Sequence, residues 1–343
     1  MKTLFFSIFF ILICGFSFAN QIFQTDEYQL NFSSNNINLT KEQKINLIKI
    51  KSFNKIIKRI LTINDFKKIE TSEIEFVDQF VLNYTINEEK IIKNNYFSKI
   101  KVNFNENLLF NYLIKNKFKF VNFLPNKFLL IINEKNNLNK YLLSEKNSFY
   151  SYLINNKKMS LKNNFLIPNL DYNDRFIFND YHFKNNIFER NNLLNTKYNT
   201  SYQILINVTQ KNNSYNVESH LYFKNSKFLI FNNVYNKLNY EIIFNEILSN
   251  ATDKWKELNY IDTSIIENIK CVIKTNNYNE LNYIKNILSF NRIIKNYNLE
   301  LIKLNQNLYS IFYFGKLEVL QNSLEIERVK LIINNNKCNL KLS

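Results

Sequence analysis

One short polar segment holds the side chains of this chain that come nearest to a catalytic or metal-binding pattern. Asp171, Asp174, Arg175 and Asp180 follow one another closely in it. Paired carboxylates can serve as general acid and base, or can hold Ca²⁺ through their oxygens. Their spacing fits no calcium-binding loop, so we expect a solvated turn in which Arg175 pairs with a carboxylate. A carboxylate-based site is the alternative, and no residue is assigned a catalytic, cofactor-binding or metal-binding role.

The other reactive residue types are scarce. His182 follows a tyrosine near the acidic segment, and His220 lies in a predicted strand. Neither has a second histidine, a cysteine pair or an acidic cluster at the spacing of a metal site, so we predict structural or solvated histidines and no metal. Gly15 and Gly315 are the two glycines. A phosphate-binding loop or a G-x-S-x-G nucleophile turn needs more, which argues against nucleotide hydrolysis, serine-hydrolase chemistry and a nucleotide partner. We expect no cofactor.

The N-terminus predicts export. Lys2 precedes an apolar run from Leu4 to Phe18, and Ser17-Phe18-Ala19 places small residues where a signal peptidase cleaves. The run is short for a membrane span, which needs about 20 residues. We therefore predict a signal peptide, residues 1–19, cleaved after Ala19, and a periplasmic protein. An uncleaved anchor is the alternative, and Ile13 argues against lipidation of Cys14.

The charge and composition are unusual. The formal net charge is +16, from 45 Lys and Arg against 29 Asp and Glu. The lysines are spread along the chain, and the excess of Asn, Lys, Ile, Phe and Tyr is typical of an AT-rich genome. We therefore interpret the charge mainly as a consequence of codon usage and expect no nucleic-acid partner. An anionic surface, such as a lipid headgroup or a cell-wall polymer, stays open as a partner.

The segment LTKEQKINLIKIKSFNKIIKRILT, residues 39–62, has the pattern of a basic amphipathic helix. Its apolar residues recur at helical spacing, and Thr40 can cap the first turn. The predicted buried stripe is Ile45, Ile48, Phe53, Ile56, Ile57 and Ile60. We interpret the segment as a core helix with a basic outer face, and binding of an anionic membrane surface is the alternative.

Periodicity and turn residues predict an α+β protein with three units after the signal peptide. The first, 20–125, has the order strand, helix, strand, strand, helix. The second, 126–262, has a buried strand at 128–132, a strand ending at 168, a meander of three strands between 202 and 231, and a long helix at 239–258. The third, 263–343, has the βαββαβ order of a ferredoxin-like fold, closing with a hairpin or strand at 330–342.

That topology bears on the two cysteines that remain after cleavage, Cys271 and Cys338. The first and last strands of a ferredoxin-like unit are neighbours, which places the strand of Cys271 beside that of Cys338. A disulfide is therefore conceivable in an oxidising compartment. Two buried thiols are the alternative, because neighbouring strands do not fix the register.

Several local patterns occur together along nearly the whole chain after residue 19. They are the helix from Thr40 to Leu61, Phe80 to Tyr84, Tyr96 to Phe104 running into Leu108 to Leu113, Phe128 to Ile132, Phe165 to Pro168 with Asp171 and Asp174 behind it, Trp255-Lys256, and Tyr313-Phe314-Gly315. In this order they resemble the DUF2066 family of uncharacterised exported bacterial proteins.

The resemblance implies a cell-envelope protein and supplies no catalytic residue. It also implies a central TolB/CsgG-N-terminal-like α/β unit. Three features depart from the family pattern. The family's alanine-rich helix face is here isoleucine, asparagine and serine. Leu170 stands where a glycine is expected, which puts a tight turn at that point in doubt because glycine tolerates positive φ best. Asn147-Ser148-Phe149 stands where the family has an Asn-Pro-Trp-like stretch.

Together these features predict a non-enzymatic, exported envelope scaffold or protein-interaction module. Exposed strand edges could recruit an unknown envelope protein by strand addition. Two alternatives stay open. One is a protein that binds an envelope polymer or an anionic membrane surface, and the other is an envelope enzyme whose carboxylates are not recognisable from sequence.

Overall fold

A computed structural model describes residues 21–125, 127–136, 139–156, 165–179, 181–182, 185, 188–275, 277–303, 306–334 and 337–342. The predicted signal peptide lies outside these residues. The α+β class predicted from the sequence is confirmed, since the chain forms three sheets with helices among them. Within the described ranges no helix is long and apolar enough to cross a membrane.

Contacts divide the chain into two compact units, Met1–Leu124 with Asn259–Ser343, and Pro125–Leu258. The segments expected as the first and third units therefore belong to one unit, and their buried side chains form one hydrophobic cluster. Phe120 joins them: it bridges Leu61 on one side and Ile261 on the other. Its carbonyl accepts the Ile261 amide at 2.7 Å.

The N-terminal segment of the first unit has an antiparallel sheet of order β1-β3-β2. Its elements are β1 (Tyr28–Ser33), α1 (Ile37–Ile60), α2 (Ile63–Ile69), α3 (Ile74–Asp78), β2 (Val81–Ile92), β3 (Asn95–Phe104) and α4 (Glu106–Lys115). The two short helices α2 and α3 were not predicted.

Helix α1 packs on this sheet through the predicted stripe, and all six of its apolar residues are buried. The start of the helix differs from the prediction. Asn36 is the N-cap, because its Oδ1 accepts the Leu39 amide at 3.1 Å, and the Thr40 hydroxyl instead bonds the Ser34 hydroxyl at 2.8 Å. An asparagine cap satisfies a free N–H of the first turn as well as threonine does.

The second unit is built on a mixed sheet of order β5-β4-β7-β8-β9, with β6 also beside β4. Its elements are β4 (Phe128–Asn136), β5 (Asn139–Leu142), α5 (Ser148–Asn155), β6 (Phe165–Leu166), α6 (Tyr172–Ile177), α7 (Phe188–Tyr198), β7 (Tyr202–Lys211), β8 (Ser214–Phe223), β9 (Ser226–Tyr235) and α8 (Tyr240–Asn259). The predicted three-strand meander is confirmed, since β7, β8 and β9 pair antiparallel in sequence order.

A side chain completes one edge of this sheet. Strand β4 pairs with β6 at Phe128 and Leu129 and with β5 from Asn133 onward, which leaves a gap between the two partners. The buried hydroxyl of Tyr150, on α5, fills the gap: it donates to the Leu130 carbonyl at 2.9 Å and accepts the Ile132 amide at 3.0 Å. Burial raises the pKa of this phenol, so the hydroxyl keeps its proton.

The C-terminal segment of the first unit extends the predicted ferredoxin-like order by one strand. Its elements are β10 (Ile266–Lys274), α9 (Tyr278–Phe290), β11 (Ile294–Lys303), β12 (Gln306–Phe314), α10 (Leu317–Ile326), β13 (Val329–Asn334) and β14 (Lys337–Leu342), in a sheet of order β11-β12-β10-β14-β13. The chain leaves α10 along the sheet edge as β13 and returns as β14 between β13 and β10. The last strand is therefore the neighbour of β10, as predicted, and it pairs parallel.

Left-handed turns without glycine are a general feature of the chain. Among the described residues, positive φ occurs at Gly315 and at Glu88, Lys93, Lys117, Leu143, Leu170, Asn199, Asn212, Lys224 and Arg328. A non-glycine residue in this conformation costs about 1–2 kcal/mol. The left-handed conformation at the non-glycine positions was not predicted, because glycine, its usual sequence signal, is missing.

This cost predicts that a glycine will stabilise the β2–β3 hairpin. Lys93, at its turn, has a φ of 55°. We expect Lys93→Gly to raise the free energy of unfolding by about 0.5–1 kcal/mol, since relief of the left-handed conformation exceeds the added entropy of the unfolded chain. Urea denaturation measures the change. The control Lys101→Gly, in the middle strand β3, should lower stability, and a destabilised Lys93→Gly protein would contradict the prediction.

Candidate functional site

The acidic segment folds around the fully buried carboxylate of Asp174, on α6. Its Oδ1 lies 2.7 Å from Lys197 Nζ. Its Oδ2 accepts the hydroxyl of Tyr198 at 2.7 Å and the amide of Leu170 at 3.1 Å. Both partner side chains come from the end of α7, so this carboxylate ties α6, the turn before it and α7 together. We call Asp171, Asp174, Lys197 and Tyr198 the Asp174 cluster.

Asp171 has a capping role in this cluster. Its Oδ1 accepts the Asp174 amide at 2.8 Å and so caps α6. Lys197 Nζ lies 3.6 Å from the same oxygen. The backbone hydrogen bond from Asp174 and the nearby Lys197 charge lower the pKa of the Asp171 carboxyl. Asp171 is therefore ionised near neutral pH, with its charge directed at the N-terminus of α6.

We predicted that Arg175 would pair with a carboxylate in a solvated turn. Among the described residues, its Nη1 donates to the Leu170 carbonyl at 3.0 Å, and Asp171 and Asp174 pair with Lys197 instead. The cation that neutralises the carboxylates is Lys197, which is distant in sequence and was missed for that reason. Asp180, the fourth residue of the predicted group, lies outside the described residues.

The tight turn before Asp171, which the absence of a glycine at position 170 had put in doubt, is present in the structure. Leu170 has a φ of 60° and is buried. Its amide is bound by Asp174 and its carbonyl by Arg175, so both backbone groups are held from outside the turn. Burial of the leucine and these two bonds offset the conformational strain.

The contacts of the Asp174 cluster indicate a structural role more than a catalytic one. The hydrogen bond with Asp174 raises the pKa of Lys197, which therefore stays charged. Burial raises the pKa of Tyr198 to about 12, and its hydroxyl oxygen also accepts the Asn169 amide at 2.7 Å. A general acid or base works best with a pKa near the operating pH. Asp174 is fully enclosed, and these groups are engaged with one another.

A second buried carboxylate, Glu134, was not singled out by sequence reasoning. It lies at the end of the apolar run of β4, and its Oε2 accepts the amide and the hydroxyl of Ser148 at 2.6 and 2.8 Å. Asn147 beside it caps α5 by accepting the amides of Phe149 and Tyr150. The Asn147-Ser148-Phe149 stretch thus starts a helix and fixes a carboxylate at that start, where the helix dipole favours negative charge.

The two histidines lie in different surroundings. His182 Nδ1 accepts the Asn179 amide at 3.1 Å, and burial followed by the Arg190 charge lowers its pKa. His220, on β8, has Nδ1 3.4 Å from Glu218 Oε1, and burial lowers its pKa. The structure describes no contact between His182 and His220. Among the described residues, no three His, Cys, Asp or Glu side chains are grouped as a metal site requires.

The cysteines form the disulfide that the topology made conceivable. Cys271 on β10 is in register with Cys338 on β14, and the two are joined by a bond with a Cα–Cα distance of 4.4 Å. Both residues are buried in the core of the first unit. The alternative of two buried thiols is therefore wrong in this structure.

The basic face of α1 is largely used within the fold. Lys41 lies 2.6 Å from Glu89, Lys49 lies 2.9 Å from Asp78, and Lys55 pairs with Asp26. Arg59 Nη1 donates to the carbonyls of Ile22 and Gln24. These contacts attach α1 to neighbouring segments, and they weaken the reading of the helix as a surface for anionic lipids.

The strands at the ends of the sheets differ in how well their edges are protected. Strands β1, β5 and β13 are short, with six, four and six residues. Strand β2 has two register shifts and the charged run Glu88-Glu89-Lys90. Strand β11 also has two register shifts and carries Lys295 and Glu300. Short length, bulges and charges are the usual means by which proteins keep sheet edges from pairing.

Strand β9 has the least protection of the long edge strands. It runs for ten residues, SKFLIFNNVY, with one register shift and one charged residue, Lys227. Leu229 and Val234 on it are 59% and 67% exposed. In the sheet order, β8 is its neighbour on one side and no described strand lies on the other. The side-chain amide of Asn250, on α8, donates to the Ile230 carbonyl of this strand at 2.9 Å. A nearly uncharged edge of this length can accept a further strand along its remaining backbone groups.

Comparison with protein-family models and with curated proteins finds no match for this chain.

Proposed function

We propose that this chain is a non-enzymatic protein-interaction module of the cell envelope, and that it binds an extended segment of a partner protein along the edge of β9. The observation that carries the proposal is the exposed, nearly uncharged β9 edge. Strand addition gains affinity from main-chain hydrogen bonds and selectivity from side chains that alternate along the added strand. Leu229 and Val234 offer such a strand two apolar contact points.

Two further observations support the proposal. The disulfide between Cys271 and Cys338 favours an oxidising compartment, as expected after export from the cytosol. The two carboxylates of the Asp174 cluster hold a turn and two helices together, which supports a structural role for Asp171 and Asp174. Their contacts therefore favour an interaction module over a carboxylate-based enzyme.

Site-specific photocrosslinking in cells that produce the protein tests the β9 edge. A benzophenone amino acid is placed at Val234, or at Leu82 of β2 as the matched control, since Leu82 is 62% exposed on an edge with bulges and charges. We expect one defined protein adduct from position 234 and much less from position 82. Leu229→Lys, which places a charge on the edge, should reduce the adduct at 234 by about tenfold or more.

Leu82→Lys is the charge-matched control for this substitution and should leave the adduct at position 234 unchanged. Both lysine variants keep the solvent-exposed character of their positions, so circular dichroism should show a native fold for each. Equal adducts from positions 82 and 234, or an adduct at 234 that survives Leu229→Lys, would refute the β9 edge as the binding surface.

A further inference from the structure

The sheet of the C-terminal segment has one face in the core and one face toward solvent. Side chains alternate between the two faces along each strand. On β14, Cys338 and Leu340 are buried in the cluster that includes α9 and α10, whereas Lys337 and Lys341 are exposed. The end of β10 and the start of β13 alternate in the same way. We call the solvent side of β10, β14 and β13 the open face.

Three lysines form a row across the open face. Lys330 and Lys341 are directly opposite each other in the antiparallel pair of β13 and β14. Ile273 pairs with Leu340 where β10 and β14 run parallel, so Lys274, the next residue of β10, comes beside Lys341. All three lysines are exposed. Neighbouring strands lie about 4.8 Å apart, so the row places three charges on three consecutive strands. We call Lys274, Lys341 and Lys330 the lysine row.

The lysine row has no counter-charge in the part of the chain that the structure describes. No ion pair or hydrogen bond there involves its three side chains. Glu267, the acidic residue of these strands, lies at the far end of β10 and faces the other way, opposite the buried Tyr313. Lys270 is also on the open face, but it pairs with Glu300 of β11 at 2.8 Å. The row therefore concentrates three positive charges that no acidic side chain on these strands offsets.

The arrangement of the row, more than the total charge of the chain, favours an anionic ligand. Directly opposite residues of an antiparallel pair have Cβ atoms about 4.5–5.5 Å apart, and like charges at such positions weaken the pair. Lys330 and Lys341 are in this arrangement. An anion bound between them would replace repulsion with attraction. The row thus fits a ligand that carries negative charges along its length.

The next row of the open face is uncharged. Asn339 pairs with Val272 on one side and with Ile332 on the other, and all three residues are half-buried. This row is two residues from the lysine row, a distance of about 6.7 Å along the strands. Lys337 lies beyond it and is a further exposed lysine of β14. The open face therefore places an amide between two aliphatic side chains, with lysines before and after them.

We propose that the open face binds an acidic polysaccharide, with carboxylates at the lysine row and sugar rings across Val272, Asn339 and Ile332. Lysine ammonium groups donate hydrogen bonds to carboxylates, and an asparagine amide can both donate to and accept from sugar hydroxyls. The C–H groups of a sugar ring can pack against the two aliphatic side chains. The inference goes beyond strand addition at β9 and does not depend on it.

Two other anionic partners match this face less well. Single-stranded nucleic acid stacks its bases on aromatic side chains, and β10, β13 and β14 have none. Phe312 on β12 is opposite Asn268, at the far end of β10 from the lysine row. A membrane surface binds proteins whose apolar side chains project into the bilayer, whereas Val272 and Ile332 are half-buried. The mixture of charge, amide and aliphatic surface favours a charged sugar chain.

Fluorescence anisotropy with the full chain and a labelled oligogalacturonate tests the proposal. Each sugar ring of this probe carries a carboxylate. Its methyl ester keeps the sugars without the charge, and poly-glutamate of equal charge keeps the carboxylates without the sugars. We expect the oligogalacturonate to bind at least about tenfold more tightly than either competitor. Equal binding of the methyl ester or of poly-glutamate would overturn the proposal.

Two triple variants that remove equal charge locate the binding. The row variant carries Lys274→Gln, Lys330→Gln and Lys341→Gln. The scattered variant removes three exposed lysines elsewhere and carries Lys67→Gln, Lys115→Gln and Lys211→Gln. We expect the row variant to weaken oligogalacturonate binding by about tenfold or more, and the scattered variant by less than about twofold. Equal weakening by both would show attraction to the total charge alone and would overturn the proposal.

The row variant also distinguishes the other classes of partner. Poly(dT) and vesicles of phosphatidylglycerol are measured with it in the same buffer. If it weakens the binding of either one and leaves oligogalacturonate binding unchanged, the open face does not bind acidic sugars. Circular dichroism should show a native fold, since the three positions are exposed and their replacement removes the repulsion between Lys330 and Lys341.

Asn339→Val separates recognition of the sugar from attraction of the charge. It keeps every lysine and a side chain suited to a strand, but it removes the amide. We expect it to weaken oligogalacturonate binding by about threefold or more and to leave poly-glutamate binding unchanged. Unchanged oligogalacturonate binding by Asn339→Val would overturn the placement of sugar rings on this row.

Discussion

Replacing both Cys271 and Cys338 by alanine is expected to lower the free energy of unfolding of the first unit by about 4 kcal/mol. The disulfide joins residues separated by 67 positions, so it removes a large loop from the conformational freedom of the unfolded chain. It also fixes β14 beside β10 in the middle of the C-terminal sheet. Urea denaturation of the oxidised protein and of the double variant measures the difference.

The reduced wild-type protein is the control for this prediction. It keeps both sulfur atoms and loses only the bond, so it separates the effect of the link from the loss of packed volume at two buried positions. We expect reduced wild type to lose most of the stability that the double variant loses, with the remainder due to the two missing sulfur atoms. A double variant as stable as the oxidised protein would contradict the prediction.

Asp174→Ala is expected to destabilise the second unit by about 3 kcal/mol. Removing one partner of a buried pair typically costs 3–5 kcal/mol, and we take the lower value because the side chain of Lys197 is 27% exposed and can reach water. The substitution also leaves the Leu170 amide without the acceptor that stabilises its left-handed turn. Thermal and urea unfolding, followed by circular dichroism, measure the loss.

Asp171→Ala is the matched control on the same helix. It removes an N-cap whose carboxylate is partly exposed, and a lost cap costs about 1 kcal/mol. A larger loss of stability in Asp171→Ala than in Asp174→Ala would contradict the central role that we assign to the Asp174 carboxylate. Asp174→Asn keeps the shape of the side chain but removes its charge. Its free energy of unfolding should lie between those of wild type and Asp174→Ala.

Local patterns predicted most of the secondary structure. The isoleucine stripe of α1 has a clear period, because one face of the helix is buried and the other is not. Polar turns between the apolar runs indicated the meander of β7, β8 and β9. The β10–β14 neighbourhood, and with it the disulfide, followed from the order of elements in the C-terminal segment. The short helices α2 and α3 have too few turns for a period to be recognised.

Features that depend on distant residues could not be predicted in this way. Phe120 joins Leu61 to Ile261, and nothing near Phe120 in sequence indicates that the chain returns to it after the second unit. Lys197 reaches Asp174 from another helix, so the nearer Arg175 was chosen as the partner of the carboxylates. The turn at Leu170 could not be predicted for a different reason. Side chains of α6 hold its backbone groups, whereas the sequence signal for a left-handed turn is the type of residue in the turn itself.

The hydroxyl of Tyr150 has a consequence for how the second unit opens. The Ile132 amide belongs to a strand in the sheet, but its acceptor is carried by α5. Undocking of α5 would therefore expose this amide to solvent exchange while β4 still pairs with β7. Hydrogen exchange at Ile132 thus reports the docking equilibrium of a helix, and its rate can differ from that of amides on the same strand that bond to β7.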